Sequence, residues 1–417
     1  MDATYLFDWL NLLLRWAHVI TAIAWIGASF YFVMLDNSLS PPTHDDLKHK
    51  GVDGEMWAVH GGGFYHSNKY MVAPRWLPLP ENLHWSYWES YSTWLTGFGL
   101  FTALYLFNAG TFLVDKAVFD WTPGAAIAAA LGFLAAFWLI YDGICRTLGQ
   151  RKNGDIVVGI CVFVFVVFAS WLACQLFAGR AAFLLVGAML ATAMSANVFF
   201  WIIPGQRKVV ASLRAGETPD PVHGKRGKQR SVHNTYFTLP VLIAMISNHY
   251  GWLYQGAHNW RVLVLLMLAG ALIRHSFVAR HKAHVLGRRT PWEHAAAGTL
   301  VLLGLAIWLA PPPPSAAAQA AAARPVTFAE VRTVIEQRCV PCHDAQVQNK
   351  NVALHTPELI RQHAQAVYPL CPADSWRATV TPRSMRCRPR GGVRISAISA
   401  PSPPTMGTSN ASARWRR

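Results

Sequence analysis

Residues 9–34 read WLNLLLRWAHVITAIAWIGASFYFVM, and this stretch decides the fold. It carries one formal charge, Arg15, and exceeds the roughly 20 apolar residues needed to cross about 30 Å of hydrocarbon. The same pattern recurs along the chain. Long apolar runs occupy about 89–114, 124–141, 156–178, 180–203, 235–251, 258–277 and 295–310, giving eight expected spans. The run at 235–251 is short, and the run at 258–277 is interrupted by Arg261, Arg274 and His275. The fold expected is all-α: a polytopic eight-helix transmembrane bundle.

Composition agrees. Of 417 residues, 53% are hydrophobic and 14% charged, and mean hydropathy is +0.23; a soluble chain would carry nearer a quarter charged residues. Many of the 18 tryptophans lie near the ends of apolar runs, where indole rings favour the membrane interface. The net charge of +16 comes from short loops beside spans and from a basic tail, so it does not point to nucleic acid. The first span lacks a basic flank and a small-residue cleavage site, and is expected to remain as a signal anchor.

The basic residues fix an orientation. Lys48, Lys50, Lys69 and Arg75 follow span 1; Arg146, Arg151 and Lys152 follow span 3. Seven more, from Arg207 to Arg230, follow span 5, and Arg280, Lys282, Arg288 and Arg289 follow span 7. The alternate loops hold only Lys116 and Arg180. Positive loops stay cytoplasmic, so both termini are expected outside, in the periplasm.

A Pro/Ala linker at 311–325 separates residues 1–310 from a second small domain at 326–368. There TFAEVRTVIEQRC starts with a threonine cap and spaces Phe328, Val331 and Ile335 as one helix face. It leads into CVPCH, residues 339–343, the attachment signature of a c-type haem. Cys339 and Cys342 would form the thioethers and His343 would be the axial iron ligand. A zinc half-site would want a second ligand pair, and none is placed for it. Haem c is attached in the periplasm, where the charge count independently puts this end. Of the other cysteines, Cys145, Cys161 and Cys174 lie in or beside apolar helices, and Cys371 and Cys387 in the tail.

A helix is expected at 357–368. Residues 369–417, with nine arginines against Asp374 and many Pro and Ser, have the composition of out-of-frame translation and are expected to be disordered. The cytochrome domain therefore reads as truncated or aberrant after about residue 368. Met385 and Met406 are the available sixth ligands, and the sequence does not choose one.

Histidines carry the chemistry of the membrane part. His18 lies about nine residues, roughly 13 Å at helical rise, from the outer end of span 1. Ionisable side chains inside hydrocarbon cost about 2.5–3.5 kcal/mol on insertion scales when charged, and mark function. His233 and His249 bracket span 6, and His275 lies at the inner end of span 7. His60 flanks three glycines at 61–63, a flexible loop or an approach to an anion, and His84 runs into span 2. These six are the candidate catalytic residues. His258, His281, His284 and His294 read as interface residues.

The segments WAHVITAIAWIGASFYFVMLDNSL, GGGFYH, HWSYWESYSTWLTGFGL and HNTYFTLPVLIAMISNHY, followed by CVPCH, resemble the membrane-bound, cytochrome c-linked urate oxidases of bacterial purine degradation. The resemblance covers about residues 1–368. It implies an inner-membrane enzyme that oxidises urate to 5-hydroxyisourate and passes electrons to haem c, then to a respiratory cytochrome c or terminal oxidase, instead of to oxygen. Without the resemblance, a quinol or other substrate dehydrogenase delivering electrons to the haem remains open. Urate is a planar anion, so its site should offer an Arg or His donor beside an aromatic wall. A site near the cytoplasmic face would leave about 30 Å of hydrocarbon before the haem. The first span is also similar to that of some membrane b-haem proteins, which places a relay haem b on His18 with His249 as its partner.

Overall fold

The computed structural model describes residues 3–364, apart from 72–73, 75–77, 312, 314, 316–326, 341–342, 344 and 346–351. The chain divides into two compact units, residues 1–313 and 314–417.

The first unit is mostly helical. Helix α1 (Ala3–Ser38) packs on α3 (Trp88–Phe101) and α10 (Asn259–Val285). Helices α5 (Pro123–Leu148) and α6 (Gly154–Leu176) surround α7 (Gly179–Asn197) together with α9 (Pro221–Ile246). α7 is the centre: Ala181, Ala182, Leu185, Val186, Met189 and Ala193 are fully buried. Its alanines let neighbouring backbones approach closely, which is how helices pack when lipid supplies no hydrophobic drive. One π-helical turn, Val198–Ile202, joins α7 to α8 (Ile203–Arg214) without a break in the rod.

Large apolar side chains face outward, among them Trp16 and Ile23 on α1, Ile160 and Val164 on α6, and Leu300 and Ile307 on α11 (Glu293–Trp308). An apolar exterior of this extent fits lipid rather than water. Among the described residues, five helices are long and apolar enough to cross a membrane: Tyr5–Ser38, α5, α6, the α7–α8 rod and α10. The other three expected spans are helical but differ in detail. The second is α3, a π turn at Thr102–Leu106, and short α4 (Ala109–Phe112). α9 carries a basic first half and an internal Pro240, and α11 has 16 residues.

The loop after span 1 departs from the all-α expectation. After a short α2 (Asp45–His49), strands β1 (Val52–His60) and β2 (Gly63–Tyr70) pair antiparallel, with His60 opposite Gly63 and Trp57 opposite His66. Gly61 and Gly62 have φ of 59° and 81°. Positive φ at both central residues is the requirement of a two-residue type I′ turn. Gly61 and Gly62 therefore close a hairpin. Glu55 ties the base of the hairpin together. Its carboxylate accepts from the Thr43 backbone N–H at 2.7 Å and meets His66 Nε2 at 2.6 Å, and these bonds hold its pKa below the usual carboxylate range. Lys69 pairs with Asp36 at the end of α1.

In the second unit, α12 (Phe328–Arg338) opens with a capping box between Thr327 and Glu330. Ile335, Leu354 and Ile360 form a small core backed by Val331 and Val352. Helix α13 spans Pro357–Gln362; residues 365–368 of the helix expected at 357–368 lie outside the described residues. Cys342, Cys371, Cys387, Met385, Met406 and the basic tail lie outside the described residues.

Candidate functional site

Two polar clusters meet on α9. The first starts from Arg230, only 3% exposed, which pairs with Asp142 of α5 at 2.7 Å. Asp142 also receives Arg146 and the Trp201 indole N–H, each at 2.7 Å. A guanidinium can only donate, so its 3.1 Å contact identifies Asn197 Oδ1 as acceptor. The Asn197 amide nitrogen then donates to the Tyr141 oxygen at 2.9 Å. Tyr141 Oη lies 2.8 Å from His233 Nδ1, so a continuous chain of polar contacts runs from Arg230 through Asn197 and Tyr141 to the imidazole.

The second cluster joins α9, α10 and α11. Tyr236 OH and His275 Nδ1 lie 2.7 Å apart, and the His275 and His294 rings have centroids 4.5 Å apart. Arg274, 6% exposed, lies over the Phe30 ring of α1 at 3.8 Å. Among the described residues, three buried side-chain atoms lack a hydrogen-bond partner: Arg274 Nε, Arg274 NH2 and His294 Nδ1. All three belong to this cluster. His233 and Tyr236, one from each cluster, line a cavity of about 230 Å³ whose other walls are apolar, including Phe163, Leu190, Phe237 and Pro240. Pro240 has no N–H to give the Tyr236 carbonyl.

His18 sits apart from both. Its Nδ1 lies 3.1 Å from the Thr93 carbonyl and 3.2 Å from Thr96 Oγ1, both on α3. A carbonyl only accepts, so Nδ1 carries the hydrogen and Nε2 keeps its lone pair, the tautomer a metal ligand requires. Gly97 makes the seat: a Cβ there would fall 2.7 Å from His18 Cε1. His249 is exposed on a 3-10 turn at Ser247–His249, and no hydrogen bond or ring contact joins it to His18 among the described residues. His60 is exposed beside the hairpin turn, and His84 is exposed before α3.

In the second unit His343 shows the same tautomer logic. Its Nδ1 donates to the Val352 carbonyl at 2.9 Å, its backbone N–H to Val340, and its carbonyl accepts from Leu354. Cys339 caps α12.

The structure thus brings His233 and His275 to one region and leaves His18, His60, His84 and His249 elsewhere. Sequence reasoning passed over Tyr141, Asn197, Arg230 and Tyr236, ordinary residues until the helices pair. Arg274 did carry a signal, as a charge inside an apolar run, and His294 did not.

No curated protein and no solved structure matches the chain significantly. The family model described as urate oxidase N-terminal matches residues 4–310, most of the 417-residue sequence and nearly all of the helical unit. With the match running through every helix from α1 to α11, the chain belongs to the urate oxidase N-terminal family.

Proposed function

We propose that this chain is an integral-membrane oxidoreductase that converts urate to 5-hydroxyisourate and delivers the electrons to a covalent haem c on the periplasmic side of a bacterial inner membrane. The family match over residues 4–310 carries the reading. Urate and water give 5-hydroxyisourate with release of two electrons and two protons; a respiratory cytochrome c or terminal oxidase is the onward acceptor. Eight spans with both termini outside follow from the alternation of basic loops.

The second unit supports haem attachment through its own side chains. Val352 orients the His343 ring and leaves Nε2 available to iron, the outer contact typical of a ligating histidine. Cys339 ends α12 four residues before it, and Cys342 completes the motif. A haem bound there accepts one electron at a time. His18 has a matching tautomer, which supports it as the ligand of an intramembrane haem b that would shorten the electron path.

A second reading is favoured by the apolar cavity beside His233 and Tyr236, which suits the ring of a lipid-borne quinol better than an anion. Anaerobic optical spectra of the purified protein separate the two. Urate should reduce the haem and lose its own absorbance, with covalent haem staining abolished by Cys339→Ala. Reduction by a quinol and none by urate would replace the first reading with the second.

A further inference from the structure

The geometry points to Arg274 and His294 as the anchor of a planar oxopurine-type anion, held edge-on to the guanidinium between α1, α10 and α11. This rests on the urate reading above and names the side chains that would hold the substrate.

A buried guanidinium at membrane depth needs a partner, because an unpaired charge there is costly. Arg230 shows how this chain meets that need: it has Asp142, Asn197 and three aromatic rings around it. Among the described residues, Arg274 has the Phe30 ring beside it and no acceptor for Nε or NH2. That ring covers one face of the guanidinium plane and leaves the side edge, Nε and NH2, without an acceptor. Two parallel N–H groups on one edge match two adjacent acceptors of a flat anion, the arrangement that makes arginine a bidentate reader of planar groups.

The third unpartnered atom supplies the other end of the recognition. His294 Nδ1 is buried without a partner, and its ring lies against His275, which in turn meets Tyr236. A planar oxopurine alternates carbonyl oxygens with ring N–H groups around its rim, so its chemistry suits both an obligate donor and an imidazole. A tetrahedral phosphate can take the fork but is poorly matched to a site walled by a flat ring.

The test uses the full-length protein in lipid nanodiscs, with anaerobic urate as the probe and inorganic phosphate as competitor. Arg274→Gln should weaken urate binding at least about 30-fold, as expected for truncating a buried charged partner. Arg274→Lys should recover only part of the loss, since an ammonium has no fork. In the absence of urate, Arg274→Gln should melt near or above the wild-type temperature, because the Phe30 contact is lost together with an unpaired buried charge. A lowered melting point with unchanged urate affinity makes Arg274 structural and overturns the anchor, while urate oxidation itself stands. A wild type that binds no urate overturns the oxidase reading. Competition by phosphate at equal affinity reassigns the fork to a phosphate, free or lipid-borne, and overturns the oxopurine assignment.

Discussion

At the scale of single residues, the membrane unit treats its buried charges in two ways. Arg230 and Asp142 complete each other, with Arg146 and Trp201 on the remaining carboxylate positions. Breaking such a pair leaves one uncompensated charge, so Asp142→Asn should destabilise the folded protein by about 3–5 kcal/mol, read as thermal unfolding in nanodiscs. Adding Arg230→Met to that variant should restore much of the loss, because both charges are then gone. If the double variant is as unstable as the single, the pair acts through Asn197 and Tyr141 rather than through charge. Arg274 is the contrasting case, and its legibility is instructive. In the sequence it weakens an otherwise good span, and the same physics that makes it a flaw in a span makes it a marker of function. His294 had no such signal, since a histidine near a helix start looks like any interface residue until α10 and α11 pack together.

Among the elements, apolar length found the helices well. α1, α5, α6, α7 and α10 lie where the hydropathy runs put them, because a span must satisfy its backbone internally and be apolar throughout. Boundaries were less legible. α9 begins at Pro221, well before the apolar run at 235, because its first half is a polar helix capped by Asp220. The hairpin was missed although VDGEMWAVH-GG-GFYHSNKY has the alternation and the turn glycines of one; a loop between spans invites no search for strands. Close helix approach is also invisible in one dimension. α1 and α3 meet through His18 and Gly97, so Gly97→Ala should cost about 1–3 kcal/mol by overpacking and displace the imidazole. Thermal melting with histidine-specific NMR would report both effects. An unshifted His18 resonance would show that α3 yields instead.

For the whole molecule, the division between the two compact units, after residue 313, falls in the Pro/Ala stretch that separates the apolar helices from a short polar segment with a capped helix and the CVPCH sequence. Orientation rests on charge alone and has a direct check. A reporter active only in the periplasm should give signal when fused after residue 320 and none after residue 220. The reverse pattern would place His343 in the cytoplasm and end the electron-export reading. What the sequence could not convey is which histidines share a neighbourhood, because α9 joins residues from α5, α7 and α10 that stand far apart along the chain.

The π turn at Val198–Ile202 has a bearing on how this rod tolerates change. It follows Asn197 directly and contains Trp201, so both side chains that address the Arg230–Asp142 pair from this rod sit at a local slip in helical phase. A π turn holds one residue more than an α turn, and removing that residue would rotate everything downstream by about 100°. Trp201 would then swing from Asp142 toward lipid, and the basic face of α8 would turn with it. The extra residue works as a vernier between two otherwise regular screws, and deletions there should be far harsher than substitutions at the same positions.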